Sequence, residues 1–439
     1  MVISFQLPHN RTVFGIEKHR VFILYVIFSC IRHLLCYHIN IKHNKKIESW
    51  CRMNKFYNTQ QIISSNIKDF LLKVDPHFRK TQLNIIPFII IGMILSESST
   101  SSDIAKNLKD DFSLVQHDSV VRRIKRLFTN KYFNPYKFYD KIIRHVISNY
   151  KKKHKDKRVH IIFDHMFSRD NYTVLMFSMR IGKQGIPLWF RCFESNHSKE
   201  AFNMSLIKEG ISYISDLFDN KFDLIFLADR WFNYIDVLKH IDSLNHTYCI
   251  RYKGSNKVFL FDNRHKYKFW KTLEEIKPCE TVSKLIYNTE ITNQKYSVNI
   301  AISKNKDVKE PWIIITNGDP KRAIKDYGYR FGGIETIFKN QKSNGFYIEN
   351  TKKASLKYFE SMYTLTCFAT LFLTIIGADY SKNTKKGYKN TKLVTHKKFK
   401  DGTKKRVMSL FRIGLTLFKL AYNSIKYIRI PFNFILYDT

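Results

Sequence analysis

Three acids stand where carboxylates can do phosphoryl chemistry. Asp164 closes the apolar run Val159–Phe163, Asp229 closes the apolar run Asp223–Ala228, and Glu335 follows the pair Gly332–Gly333. Asp suits a strand end, because its short side chain holds the carboxylate close to a fixed backbone while the next loop opens to solvent. Such groups converge only if a cation offsets their repulsion. Three carboxylates suit two Mg²⁺ ions roughly 4 Å apart, with Mn²⁺ able to substitute. One ion would activate a water or a DNA 3′-hydroxyl and the other would stabilise the leaving oxygen. His165 is read as a packing or supporting residue, since in-line displacement with two metals needs no histidine base.

The third acid lies in Tyr327–Phe346, YGYRFGGIETIFKNQKSNGF. A helix starting near Ile334 puts Glu335, Lys339 and Lys342 on one face and Ile334, Ile337, Phe338 and Gln341 on the next. Alone, this is an ordinary amphipathic surface helix with a Glu–Lys pair. The two upstream acids give it a functional reading.

The elements that must position these acids follow from pattern. Val159–Phe163, Thr173–Ile181 and Ile186–Phe193 read as a β-meander with turns at Arg169–Asn171 and Gly182–Gly185. A helix over Lys199–Leu217 and the buried strand Asp223–Ala228 follow. The expectation is an α/β fold, a ribonuclease H-like catalytic domain. Ser255–Thr316 interrupts it with strands at Lys257–Phe261, Tyr267–Trp270, Thr281–Tyr287, Tyr296–Ser303 and Trp312–Thr316, read as a β-rich insertion. Leu356–Ile376 is long enough to span a membrane, but Lys357, Glu360 and its threonines favour a buried helix.

The flanks read as helical. Leu83–Leu95 is a core helix kinked or started at Pro87. Ser98–Ser102 can cap a helix with Ile104, Ala105 and Leu108, and Asp118 can cap Ser119–Phe128. The latter carries Arg122, Arg123, Lys125 and Arg126 opposite its apolar face, so the pair is either a helix-turn-helix reader of DNA or a core helix with a solvated basic face. Tyr380–Arg406 is Lys-rich with few core-forming residues, mobile in isolation and able to follow a phosphate backbone through Tyr388, Phe399 and its cations. Val407–Tyr427 resumes an amphipathic helix. The domains expected are 1–52, a leader with Met53 as the native start; 53–150, helical and DNA-binding; 151–254 and 317–376, the two parts of the catalytic domain; 255–316, the insertion; and 377–439, a basic linker and C-terminal helical region.

Composition names the partner. Among 439 residues, 75 Lys and Arg against 37 Asp and Glu leave a formal charge of +38, which calls for a polyanion, nucleic acid first and a membrane surface second. Seven cysteines with no CxxC pair argue for reduced thiols in a cytoplasmic compartment and against a zinc framework.

These segments together resemble the DDE transposases of bacterial insertion sequences, in the cut-and-paste branch with a Tyr-Arg-Glu-Lys signature. IIFDHMF resembles the first-Asp strand, FLADRWF the second-Asp strand, YCIRYKG the lead into the insertion, and PWIIIT its last strand. In the signature block Tyr327 and Arg330 keep the first spacing and Glu335 and Lys342 the last. Four residues, where the family has three, separate Arg330 from Glu335; one extra residue turns a helix by about 100°, and a loop at Gly332–Gly333 can absorb it. The resemblance implies Mg²⁺-dependent cleavage and strand transfer at terminal inverted repeats through a hairpin intermediate, by a homodimer on double-stranded DNA, near the bacterial nucleoid and without a membrane. It implies that Asp164, Asp229 and Glu335 are the catalytic metal ligands and that Arg330 and Lys342 grip phosphates, with Tyr327 and Lys339 beside them. Trp312 matches the position that stacks a flipped base, although a core aromatic explains it equally. Arg251 and Lys253 are either further phosphate contacts or an exposed strand-edge pair.

Overall fold

A computed structural model of the protein describes residues 45–108, 116–154, 158–167, 172–194, 204–219, 222–262, 267–276, 283–304, 310–351, 354–383, 396–398, 404–406 and 408–423. Contacts divide the chain into Met1–Lys55 and Phe56–Thr439. Helix α1 (Lys45–Val74) runs through Met53, so the expected boundary there falls inside a helix; residues 1–44 of the expected leader lie outside the described residues.

Four helices precede the sheet: α2 (Lys80–Ser96), α3 (Ser101–Asn107), α4 (His117–Phe128) and α5 (Pro135–Lys153). α2 starts seven residues before Pro87 and holds that proline in its buried interior, so Pro87 neither starts nor ends it. The hydroxyl of Thr100 caps α3 by accepting from the Asp103 N–H at 3.3 Å. α4 starts at His117 with no side-chain cap, which places Asp118 in the first turn instead of at the cap. There its charge still favours the positive end of the helix. α5 opens on Pro135, with the Asn134 side chain accepting from the Lys137 N–H at 3.0 Å.

Ten strands then form one mixed sheet, threaded by helices: β1 (Arg158–Phe167), β2 (Tyr172–Ile181), β3 (Gln184–Glu194), α6 (Met204–Leu217), β4 (Asp223–Ala228), α7 (Ile235–Ser243), β5 (Thr247–Arg251), β6 (Lys257–Asp262), β7 (Tyr267–Thr272), β8 (Lys284–Ile291), β9 (Tyr296–Ser303) and β10 (Trp312–Thr316). The order is β3-β2-β1-β4-β5-β10-β9-β8-β6-β7. β1, β4 and β5 are parallel, and the remaining pairings are antiparallel. The strands expected to form a separate insertion thus continue the sheet, because β10 pairs with β5 on one side and β9 on the other. Ile313, Ile314 and Ile315 of β10 are buried, as both faces of an interior strand must be.

α8 (Pro320–Gly328), α9 (Ile334–Lys342), α10 (Leu356–Asn383), the strand pair β11 (His396–Lys398) and β12 (Lys404–Arg406), and α11 (Leu410–Asn423) complete the described chain. β11 and β12 pair within the segment expected to be mobile; Tyr388 and Phe399 lie outside the described residues. α10 is long and apolar enough to cross a membrane, yet its most apolar stretch is wholly buried. It packs as the core helix of the fold. Thr366, Thr370 and Thr374 satisfy their buried hydroxyls on carbonyls one turn back, at 3.0, 2.8 and 2.7 Å.

Candidate active site

The parallel register of β1 and β4 ends on the pair Ile162 and Leu227. Two residues further on, Asp164 and Asp229 stand level on neighbouring strands. Asp164 lies inside β1 and not at its end, because the other edge of β1 keeps pairing with β2 as far as Phe167. Asp229 leaves β4 and accepts from the Arg230 N–H at 2.7 Å, opening a short 3₁₀ turn. Burial pushes the Asp164 carboxyl up from its ordinary pKa, and the charge of Asp229 adds to this. Arg330 and the His165 N–H oppose the shift without reversing it.

Arg330 is the hub of the cluster. Its Nη2 donates to Asp164 Oδ2 at 2.5 Å and its Nη1 to Glu335 Oε1 at 3.3 Å. It is 7% exposed, and its Nε is buried without a hydrogen-bond partner. Burial alone would lower the guanidinium pKa, but Asp164, Tyr327, Asp229 and Glu335 together raise it. Between Arg330 and Glu335 the chain turns at the glycine pair. Gly332 adopts a left-handed φ of +77°, and a Cβ on Gly333 would lie 2.1 Å from Ile162 Cδ1 on β1. The turn therefore lies against the strand that carries Asp164 while α9 restarts with Glu335 in its first turn.

The other predicted residues divide. Glu335 and Lys339 are exposed on α9, while Ile334, Ile337 and Gln341 are buried beneath them. Lys342 donates to the Phe167 carbonyl and pairs with Glu349 at 3.2 Å, so it joins α9 to the end of β1. Tyr327 is 1% exposed and its phenol is pushed up to about 12 by burial, which makes it a wall of the cluster where a direct DNA contact was expected. Trp312 sets its ring edge-on to Tyr327 and stacks on Phe331 at 5.2 Å, so the exposed aromatic face belongs to Phe331. Arg251 pairs with Glu310 at 3.3 Å, and the exposed Lys253 lies over the Trp231 ring at 5.5 Å. Arg122, Arg123, Lys125 and Arg126 are exposed on α4, with Val120, Ile124, Leu127 and Phe128 buried behind them. His165 stacks on Phe232 at 4.9 Å, in keeping with a packing role.

Sequence reasoning missed Arg180, Phe331 and the Asp326–His160 pair. Arg180 had a signal, as the one charged residue in the apolar run of β2. Asp326 accepts from His160 at 3.0 Å and pairs with Arg158 at 3.3 Å, fastening α8 to β1.

Hard carboxylate oxygens already gathered round a cation are the donor set that Mg²⁺ takes. Among the described residues no three His, Cys, Asp or Glu side chains lie close enough together to hold a metal ion. In this arrangement the guanidinium bonds two of the three acids. No family model matches the chain, and no curated protein matches it.

Proposed function

We propose that this chain is a DDE transposase, which cleaves DNA at the terminal inverted repeats of an insertion sequence and joins the ends to a target. The observation that carries this is the bonding of Asp164, on β1, and Glu335, on a distant helix, to one guanidinium, that of Arg330, with Asp229 following the adjacent parallel strand. The strand order β3-β2-β1-β4-β5, with only β1, β4 and β5 mutually parallel, supports a ribonuclease H-like catalytic region. β6 to β10 then stand as its β-rich extension.

Mg²⁺, held by Asp164, Asp229 and Glu335, would supply the Lewis acidity that activates the attacking oxygen and stabilises the leaving one. Arg330 sets a guanidinium beside Asp164 and Glu335, whose charge suits a phosphate oxygen next to the scissile bond. Lys339 and the basic face of α4 add contacts that position the duplex backbone. The high positive charge suits double-stranded DNA as partner and a nucleoid-associated, cytoplasmic setting, with a homodimer holding the two ends. A second reading, a DNA-binding protein derived from a transposase and without chemistry, is favoured by the ion pairing of Arg330 to two of the acids.

Cleavage of a duplex bearing the element's end, with and without Mg²⁺, separates the two. Asp164→Ala, Asp229→Ala and Glu335→Ala should each abolish Mg²⁺-dependent cleavage and leave end binding intact. Undiminished cleavage in any of them removes that residue from the site, and end binding without cleavage by the unaltered chain selects the second reading.

A further inference from the structure

We infer that Arg180 is a positioning residue for Arg330, an assignment that rests on reading the acid cluster as a phosphoryl-transfer site. Arg180 is the penultimate residue of β2, half-buried in a strand whose other side chains are buried. Its Nη1 donates to the carbonyl of Tyr329 and, at 3.0 Å, to the carbonyl of Phe331. These carbonyls belong to the residues immediately before and after Arg330. The guanidinium also lies 4.7 Å from the Tyr329 ring centroid, and its Nε donates to Gly182 at 2.6 Å.

Local bonds alone leave the Arg330 turn free to move as a unit. Arg330 and Gly333 close it through Tyr327 O and Arg330 O at 2.9 and 3.2 Å, both within the same segment. Arg180 ties that segment to the sheet. It does so on both sides of the residue that must reach Asp164 on β1 and Glu335 on α9 together. Gly332 and Gly333 give the backbone freedom close to Arg330, and the two bonds from Arg180 limit it. A planar fork bonding two carbonyls is a task that Lys, with one ammonium, performs only in part.

The test uses the full-length chain with Arg180→Gln and Arg180→Lys. Amide hydrogen exchange without metal or DNA reads the turn directly. Arg180→Gln should speed exchange over 328–335 by about tenfold and leave β4 and α10 unchanged, with Arg180→Lys between it and the unaltered chain. In Mg²⁺-dependent cleavage, Arg180→Gln should lower kcat by roughly tenfold to a hundredfold with KM for the duplex held within about twofold, as expected of a misplaced reacting group. Unchanged exchange over 328–335 overturns the assignment, as does exchange that rises equally in β4 and α10, since Arg180 would then be a general folding residue. A KM rise at constant kcat overturns it too, making Arg180 a simple DNA contact. Should the unaltered chain cleave no DNA, the phosphoryl-transfer reading fails by itself, and the exchange pattern alone decides whether Arg180 positions Arg330.

Discussion

Arg330 and Asp164 are separated by 166 positions in the chain, yet Nη2 and Oδ2 stand 2.5 Å apart. The same guanidinium reaches Glu335, so one cation bonds two acids and feels the charge of a third, Asp229. On the proposed function, a divalent cation would offset the remaining carboxylate charge.

Removing Arg330 should expose that imbalance. Arg330→Gln leaves Asp164 and Asp229 facing each other without the guanidinium, and folding stability should fall by about 2 kcal/mol. The loss stays below that of a fully buried pair because Asp164 keeps 22% of its side chain exposed. Millimolar Mg²⁺ should then raise the Tm of Arg330→Gln more than that of the unaltered chain, since an added cation replaces the missing one. Equal Mg²⁺ shifts in thermal unfolding would count against the cluster as a cation site.

Asp326 should set an acid limit on stability. Burial alone would raise its carboxyl, but the His160 hydrogen bond and the charges of Arg158, His160 and Arg322 hold it below the ordinary value of 3.8. A carboxyl depressed in the folded state contributes stability above its unfolded pKa and loses it as pH falls through the folded value. Asp326→Asn should therefore be less stable than the unaltered chain at neutral pH, by about 1–2 kcal/mol. The gap should close as the pH drops below the ordinary carboxylate range. Denaturant titrations at neutral and acid pH read this directly, and a constant gap would show that Asp326 acts through shape alone.

The crossing of α10 and α11 should not tolerate a methyl group. A Cβ on Gly414 would fall 1.9 Å from the Leu373 carbonyl oxygen, and one on Gly377 the same distance from that of Leu410. Both obstacles are backbone, so the helices must separate. Each Gly→Ala change should cost about 1–3 kcal/mol of stability, measured as a lower midpoint in urea unfolding. Unchanged midpoints would mean that the crossing is looser than these contacts require.

Local pattern was enough for much of this molecule. Alternation and apolar runs marked β2, β4, β9 and β10 almost to the residue, and helical spacing put Glu335 and Lys339 outside and Ile334 and Ile337 inside. Those properties belong to a few consecutive residues, where backbone geometry alone decides which side chains share a face. The three acids and the glycine pair were legible for the same reason.

Only the tertiary structure decided the rest. That β1 runs past Asp164 depends on β2 lying beside it, and that β10 joins the strands after β5 to the main sheet depends on pairing between segments more than sixty residues apart. Tyr327 and Trp312 read as DNA contacts by position, but packing buries the first and lays Phe331 over the second. Arg330 was tied by spacing to Glu335, but its bond to Asp164 and its anchorage by Arg180 join three elements. Ion pairs of that kind are fixed by where the backbones converge, which no local run of residues encodes.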